Sequence, residues 1–187
     1  MNKNLAIIFY DNIDKQLGEN LLQNFKEIFF NIIDVFILID TPMNLPPNSF
    51  NKLRNQYLSS PLLEELRTLA IRNGYFKILG IISADLYTEG LNFIFGQAEF
   101  GNPQETRAAI ISTYRLKRDL EENESRFSII YRRILKEAIH ELGHTLNLSH
   151  CKGFCVMRFS NSLLEADNKP ISFCKICKKK ISSSLFP

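Results

Sequence analysis

Three histidines and four cysteines carry most of the chemistry this chain can do. His140, His144, His150, Cys151, Cys155, Cys174 and Cys177 are the only residues of their types, and all fall within 38 positions. Histidines and cysteines scattered through a core would not segregate in this way. The first five residues of the group read His140-Glu141-Leu142-Gly143-His144. On a helix advancing about 100° per residue, positions i and i+4 stand about 40° apart, so both imidazoles can reach one metal ion. Glu141 is about 100° round from His140. That places it beside such an ion, where a carboxylate can act as base on metal-activated water.

A bare HExxH also occurs in ordinary surface helices, so the third histidine decides more. His150 follows His144 by six residues, which in a continued helix would put it about 240° away. It can join the site only if the helix stops. Asn147 is the expected stop, because Asn tolerates the left-handed conformation that ends helices. Three neutral imidazoles would leave a fourth zinc position open, as a catalytic site requires. The cysteines are spaced C-x3-C, eighteen residues, then C-x2-C. Two close pairs of thiolates can close a tetrahedral structural zinc site; two disulfides, or inert buried thiols, are the other readings.

The run from His140 to His150 resembles the motif of the metzincin zinc proteases, with Asn147 where they usually carry Gly. The continuation into Cys151, Cys155, Val156, Met157, Cys174 and Cys177 narrows this to a resemblance to the archaemetzincin family. Both loops within the cysteine set are one residue shorter than is usual there. Weaker likeness extends through Asp85-Leu86-Tyr87, Asn92 to Ala98, Ser112 to Leu116 and Lys136-Glu137-Ala138. The resemblance implies two zinc ions per chain: a catalytic one on His140, His144 and His150, and a structural one on the four cysteines. It implies Glu141 as the catalytic base. It also implies Met157 as the Met-turn residue, an apolar floor beneath the histidines. Some metzincins carry a tyrosine two residues beyond that methionine; here the position is Phe159, which has no hydroxyl.

The elements that must hold these residues follow from the apolar pattern. Leu5–Tyr10, Ile33–Asp40, Tyr75–Ile82, Asn92–Phe100 and Ala108–Leu116 read as strands; Asp14–Phe30 and Pro61–Asn73 read as helices. Three prolines make Thr41–Asn55 a loop. An active-site helix from near Glu121 or Arg126 to about Leu146 would set Ile130, Ile134, Leu135, Ala138, Leu142 and Leu146 against the sheet. The expected fold class is α+β with α/β character: a metzincin-type twisted mixed sheet, an active-site helix and a small zinc-stapled C-terminal part. One catalytic domain is expected over 1–187, with subdomains 1–147 and 148–187. By resemblance, Asn92–Phe100 is the edge strand above the cleft, to which a peptide could add. Lys136, one turn before His140, reads as a solvated surface lysine.

A length of 187 residues with 45% hydrophobic and 23% charged residues suits a globular domain and excludes disordered or fibrous chains. A net charge of +3 points to no particular partner. Lys175, Lys178, Lys179 and Lys180 read as a solvated cluster, so nucleic acid is not expected to bind. The longest apolar stretch, Ile28–Ile39, is broken by Asn31 and Asp34 and falls short of the roughly 20 residues a bilayer needs. The opening apolar run reads as a strand and not a signal peptide, so the expected protein is a cytoplasmic monomer acting on peptide or protein substrates. The leading functional reading is a zinc metallopeptidase. A SprT-like protease acting on DNA-bound proteins and a non-catalytic, zinc-stabilised binding module are the alternatives.

Overall fold

The computed structural model describes residues 3–12, 14–119 and 125–185. β1 (Asn4–Phe9) leads into α1 (Lys15–Ile28), whose N-cap Asp14 accepts the Leu17 N–H at 2.9 Å. Next come β2 (Val35–Leu38), β3 (Phe50–Asn51), β4 (Gln56–Leu58), α2 (Ser59–Asn73), β5 (Lys77–Ile82) and β6 (Leu86–Tyr87). β7 (Gly96–Ala98), β8 (Arg107–Ser112), α3 (Ser125–Thr145), α4 (Leu163–Asn168) and α5 (Lys175–Leu185) complete the order.

The main sheet runs β2-β1-β5-β8-β7. Its first four strands are mutually parallel, and β7 joins the edge antiparallel to β8. β3, β4 and β6 form a second, small sheet. Side chains on successive strand residues point to opposite faces, and both faces of the central strands are apolar. Leu5, Ile7, Phe9, Leu79, Ile81 and Ile111 pack with Leu21 and Phe25 of α1 and with Ile134, Leu135, Ala138 and Leu142 of α3. Ala6, Ile8, Ile78, Ile82 and Ile110 pack under Leu62, Leu66 and Ala70 of α2. Parallel strands buried on both faces explain why these runs read as continuously hydrophobic. Each fully buried Ile or Leu contributes about 1.5–3 kcal/mol. The core on the α1/α3 face continues into Cys155, Met157, Phe173, Cys177 and Ile181, so the C-terminal residues share it. This is the mixed sheet with helices that the sequence implies.

Several expectations need correction. Within 41–55 the prolines do make a loop, yet Phe50–Asn51 pairs with Gln56–Leu58 as an antiparallel ladder. Asn92–Phe100 is not one strand. Only Gly96–Ala98 follows β8, while Ile94 bridges to Leu86. The reason is local: Arg54 and Gln56 donate to the carbonyl of Asn92, and Arg54 also to that of Leu91, drawing this stretch toward the small sheet. The active-site helix is described from Ser125 onward; Glu121, the earlier of the two expected starts, lies outside the described residues. Among the described residues, no helix is long and apolar enough to cross a membrane.

Candidate active site

α3 crosses the sheet and brings His140, Glu141 and His144 to one end. The helix then stops as expected: Asn147 has φ 65°, the left-handed conformation. The Leu148 N–H donates to the Gly143 carbonyl at 3.0 Å and the Asn147 N–H to that of His144 at 2.9 Å, a Schellman cap. The reversed chain returns His150 to the other two histidines. Ring centroids lie 4.7 Å apart for His140–His144, 4.9 Å for His144–His150 and 5.3 Å for His140–His150.

The histidine nitrogens are arranged for a cation. His140 Nδ1 lies 2.9 Å from the Val156 carbonyl, and His144 Nδ1 lies 2.7 Å from that of Leu148. A carbonyl only accepts, so each Nδ1 carries the proton and each Nε2 presents a lone pair. Those two lone-pair atoms face each other at 3.1 Å. Two nitrogens bound tetrahedrally to one zinc at about 2.1 Å would stand about 3.4 Å apart, close to this spacing. One nitrogen from each of the three rings fits within 4.8 Å of the others. Burial first, then the Lys169 charge, push His140 down to about 2; burial also lowers His144 and His150. The rings are therefore neutral, the form that binds metal.

The four cysteine sulfurs also lie within 4.8 Å of one another. All four are free thiols, and Cys151 Sγ and Cys174 Sγ are 3.9 Å apart, far beyond a disulfide and close to the about 3.8 Å of two thiolates sharing a zinc. The Cys177 N–H, the leading influence, pulls Cys174 down to about 7. Met157 is fully buried beneath α3. A Cβ at Gly143 would collide with its Sδ and stand 3.0 Å from the Phe173 ring, so the absence of a side chain lets Met157 lie directly against the helix.

A cleft of about 630 Å³ opens in front of the histidines, between β7 and the residues that follow Met157. Phe93, Phe95, Phe100 and Phe159 are among its walls. The Phe100 ring stands 6.4 Å from His144 and the Phe159 ring 4.9 Å from His150. Arg115 stacks on Phe93 at 4.0 Å and grips Asp85 through two bonds of 2.7 Å; Gln56 joins Asp85 to Asn92. Three of the weaker motif segments thus meet in one network behind the cleft's upper wall.

Glu141 is 5% exposed on the cleft floor. Burial first, and then the neighbouring Glu137 charge, raise its carboxyl well above the usual carboxylate range. Lys169 Nζ donates to Glu137 Oε2 at 3.3 Å. Sequence reasoning missed Glu137 and Lys169. Glu137 lies four residues before Glu141, hence on the same helix face, and that spacing was a usable signal. Nothing local marked Lys169, which comes from another segment. Lys136 is not solvated, contrary to expectation: it is 3% exposed, and its ammonium donates to the carbonyls of Ala166 and Asp167 at 3.0 and 2.6 Å. Lys175, Lys178, Lys179 and Lys180 are exposed, as expected.

The profile of Peptidase family M54 matches residues 3–183. The chain is similar to the archaemetzincin of Archaeoglobus fulgidus, 39% identical over 162 residues that span 86% of this chain and 89% of the relative. The crystal structure of the Methanopyrus kandleri archaemetzincin superposes with a TM-score of 0.82 at 34% identity, covering 100% of this chain and 97% of that one. A zinc-dependent peptidase from Methanocorpusculum labreanum superposes with a TM-score of 0.79 at 25% identity, covering 95% and 99%.

Proposed function

The chain belongs to peptidase family M54, the archaemetzincins, and from that premise we propose that it hydrolyses peptide bonds with His140, His144 and His150 holding a catalytic zinc and Glu141 as general base. Membership makes it a zinc-dependent peptidase and sets it apart from the SprT-like alternative. The observation that carries the residue assignment is the pair of imidazole Nε2 atoms facing each other at 3.1 Å, with the Glu141 carboxyl on the floor of the same cleft. Two lone pairs turned toward one another repel, and a cation shared between them removes that repulsion.

Zinc in that position would supply Lewis acidity, drawing the pKa of water toward about 7 and polarising the scissile carbonyl. The remaining work falls to this chain. Glu141 takes a proton from the attacking water and returns it to the leaving amine. Among the described residues β7 is the edge strand, bonded to the sheet through β8, and its outer edge can pair with an extended substrate backbone. The phenylalanines on the cleft walls exclude water from the reacting groups. The four cysteines would hold a second zinc, fixing the chain on either side of Met157 without taking part in the reaction.

Glu141→Gln tests the reading. The zinc-loaded variant should lose about 10²–10⁴-fold in kcat on a fluorogenic peptide mixture while binding as much zinc as the unmodified chain. Cleavage at the unmodified rate would overturn it.

A further inference from the structure

We propose that Lys169 and Glu137 are positioning residues that hold the Glu141 carboxylate in line with the histidine cluster, with the Gly96 backbone as the opposing wall. The inference rests on the reading of Glu141 as general base.

Lys169 reaches the cleft because the segment before it is clamped along α3. Arg133 binds both carboxylate oxygens of Asp167 at 2.8 and 2.7 Å. Lys136 binds the carbonyls of Ala166 and Asp167, and Glu137 binds Lys169 itself. Positions 133, 136 and 137 form one stripe of the helix, and the next members of that stripe are His140 and Glu141. The clamp therefore runs straight into the catalytic turn. Residues 166–169 are tied at three successive points, and their last side chain points at the carboxyl pair.

The pair is costly by itself. The Lys169 side chain is 1% exposed and that of Glu137 8%. Burying both charges is costly before their attraction is counted, so such a pair adds little net stability. Its placement suits another purpose. Glu137 takes the Lys169 ammonium and stands one turn before Glu141 on the same helix face, so the ammonium and both carboxyl groups line one side of the cleft. The Lys169 side chain is almost wholly enclosed and its ammonium donates to Glu137, so it acts through that residue.

The opposite side of Glu141 is fixed by β7. A Cβ on Gly96 would stand 2.7 Å from Glu141 Cγ, 3.0 Å from Glu141 Oε1 and 2.9 Å from the Ile110 carbonyl. Only a residue without a side chain lets the strand lie against the base. Glu141 thus has a backbone wall on one side and the Lys169-anchored Glu137 one helical turn behind it, which narrows its rotamers before substrate arrives.

The test is steady-state kinetics on the zinc-loaded full chain, comparing Lys169→Met, Lys169→Arg, Glu137→Gln and Glu141→Gln. Partners that orient a metal site from behind typically alter activity about 10–100-fold. Lys169→Met and Glu137→Gln should each lower kcat by about that factor with KM unchanged and zinc content intact, and Lys169→Arg should recover most of the loss. If Lys169→Met fails to fold, Glu137→Gln decides, since it keeps shape and hydrogen bonding. Unaltered kcat in the folded variants, with Glu141→Gln inactive, overturns the positioning role alone. An active Glu141→Gln overturns the general base as well.

Discussion

Lys77 shows how a single side chain can set a pH dependence. It is 1% exposed on a central strand, donating to the carbonyls of Pro103 and Glu105 at 3.0 and 2.6 Å. Burial, then the Arg107 charge, lower it to about 7, against the pull of Glu105 and Glu99. Below pH 7 both folded and unfolded chains hold the proton, and the folded one bears the cost of a buried charge. Between pH 7 and about 10 only the unfolded chain keeps it, so this site makes stability rise with pH by about 1.4 kcal/mol per unit. Lys77→Met should remove that slope in denaturant titrations at pH 7 to 9; an unchanged slope would contradict the assignment. Lys136 and Lys169 are likewise buried; the sequence alone makes Lys136 look solvated and singles out neither of the others. A lysine inside an apolar run or one turn from a motif looks solvated until the carbonyls or carboxylates that accept its protons are located, and those come from distant segments. Glu137 was hidden for the converse reason: its helix spacing was plain, but its partner Lys169 was not.

α3 does two things at the scale of an element, and its end matters as much as its length. Its i, i+4 spacing sets two histidines together, and its termination sets the third. Asn147 is exposed and at φ 65°, so its side chain contributes conformation and not packing. Asn147→Val should cost about 1–2 kcal/mol in the unfolding free energy of the zinc-loaded chain, because a β-branched residue resists the left-handed region. Asn147→Gly should cost nothing measurable. A valine variant as stable as the unmodified chain would mean the Schellman cap contributes little. Long elements were legible in the sequence: α1 and α2 begin within a few residues of where the sequence places them, α3 ends close to Leu146 as expected, and the buried parallel strands follow their Ile- and Leu-rich runs. The short elements were not. β3, β4 and β6 are two or three residues long, too short for any period to register, and each exists only because a partner pairs with it. Asn92–Phe100 divided for the same reason, since two sheets compete for its backbone groups.

The whole molecule joins two metal-ligand sets through one short stretch. His150 and Cys151 are consecutive, and the core beneath the histidines includes Cys155, Met157, Phe173 and Cys177. A zinc on the cysteines would therefore hold the floor under the histidine cluster, while the sheet holds α3 from above. The ligand sets could be read from residue type and spacing. The cleft could not, because its walls come from β7, α3 and residues 159–169, which only the fold assembles. The measurement that bears most directly on this account is zinc per chain by mass spectrometry after zinc soaking and desalting, with peptide hydrolysis assayed on the same samples. The unmodified chain should hold two zinc ions and cleave peptide, and His144→Ala should hold one and cleave none. A His144→Ala chain that retains two zinc ions and undiminished hydrolysis would contradict catalysis at the histidine site.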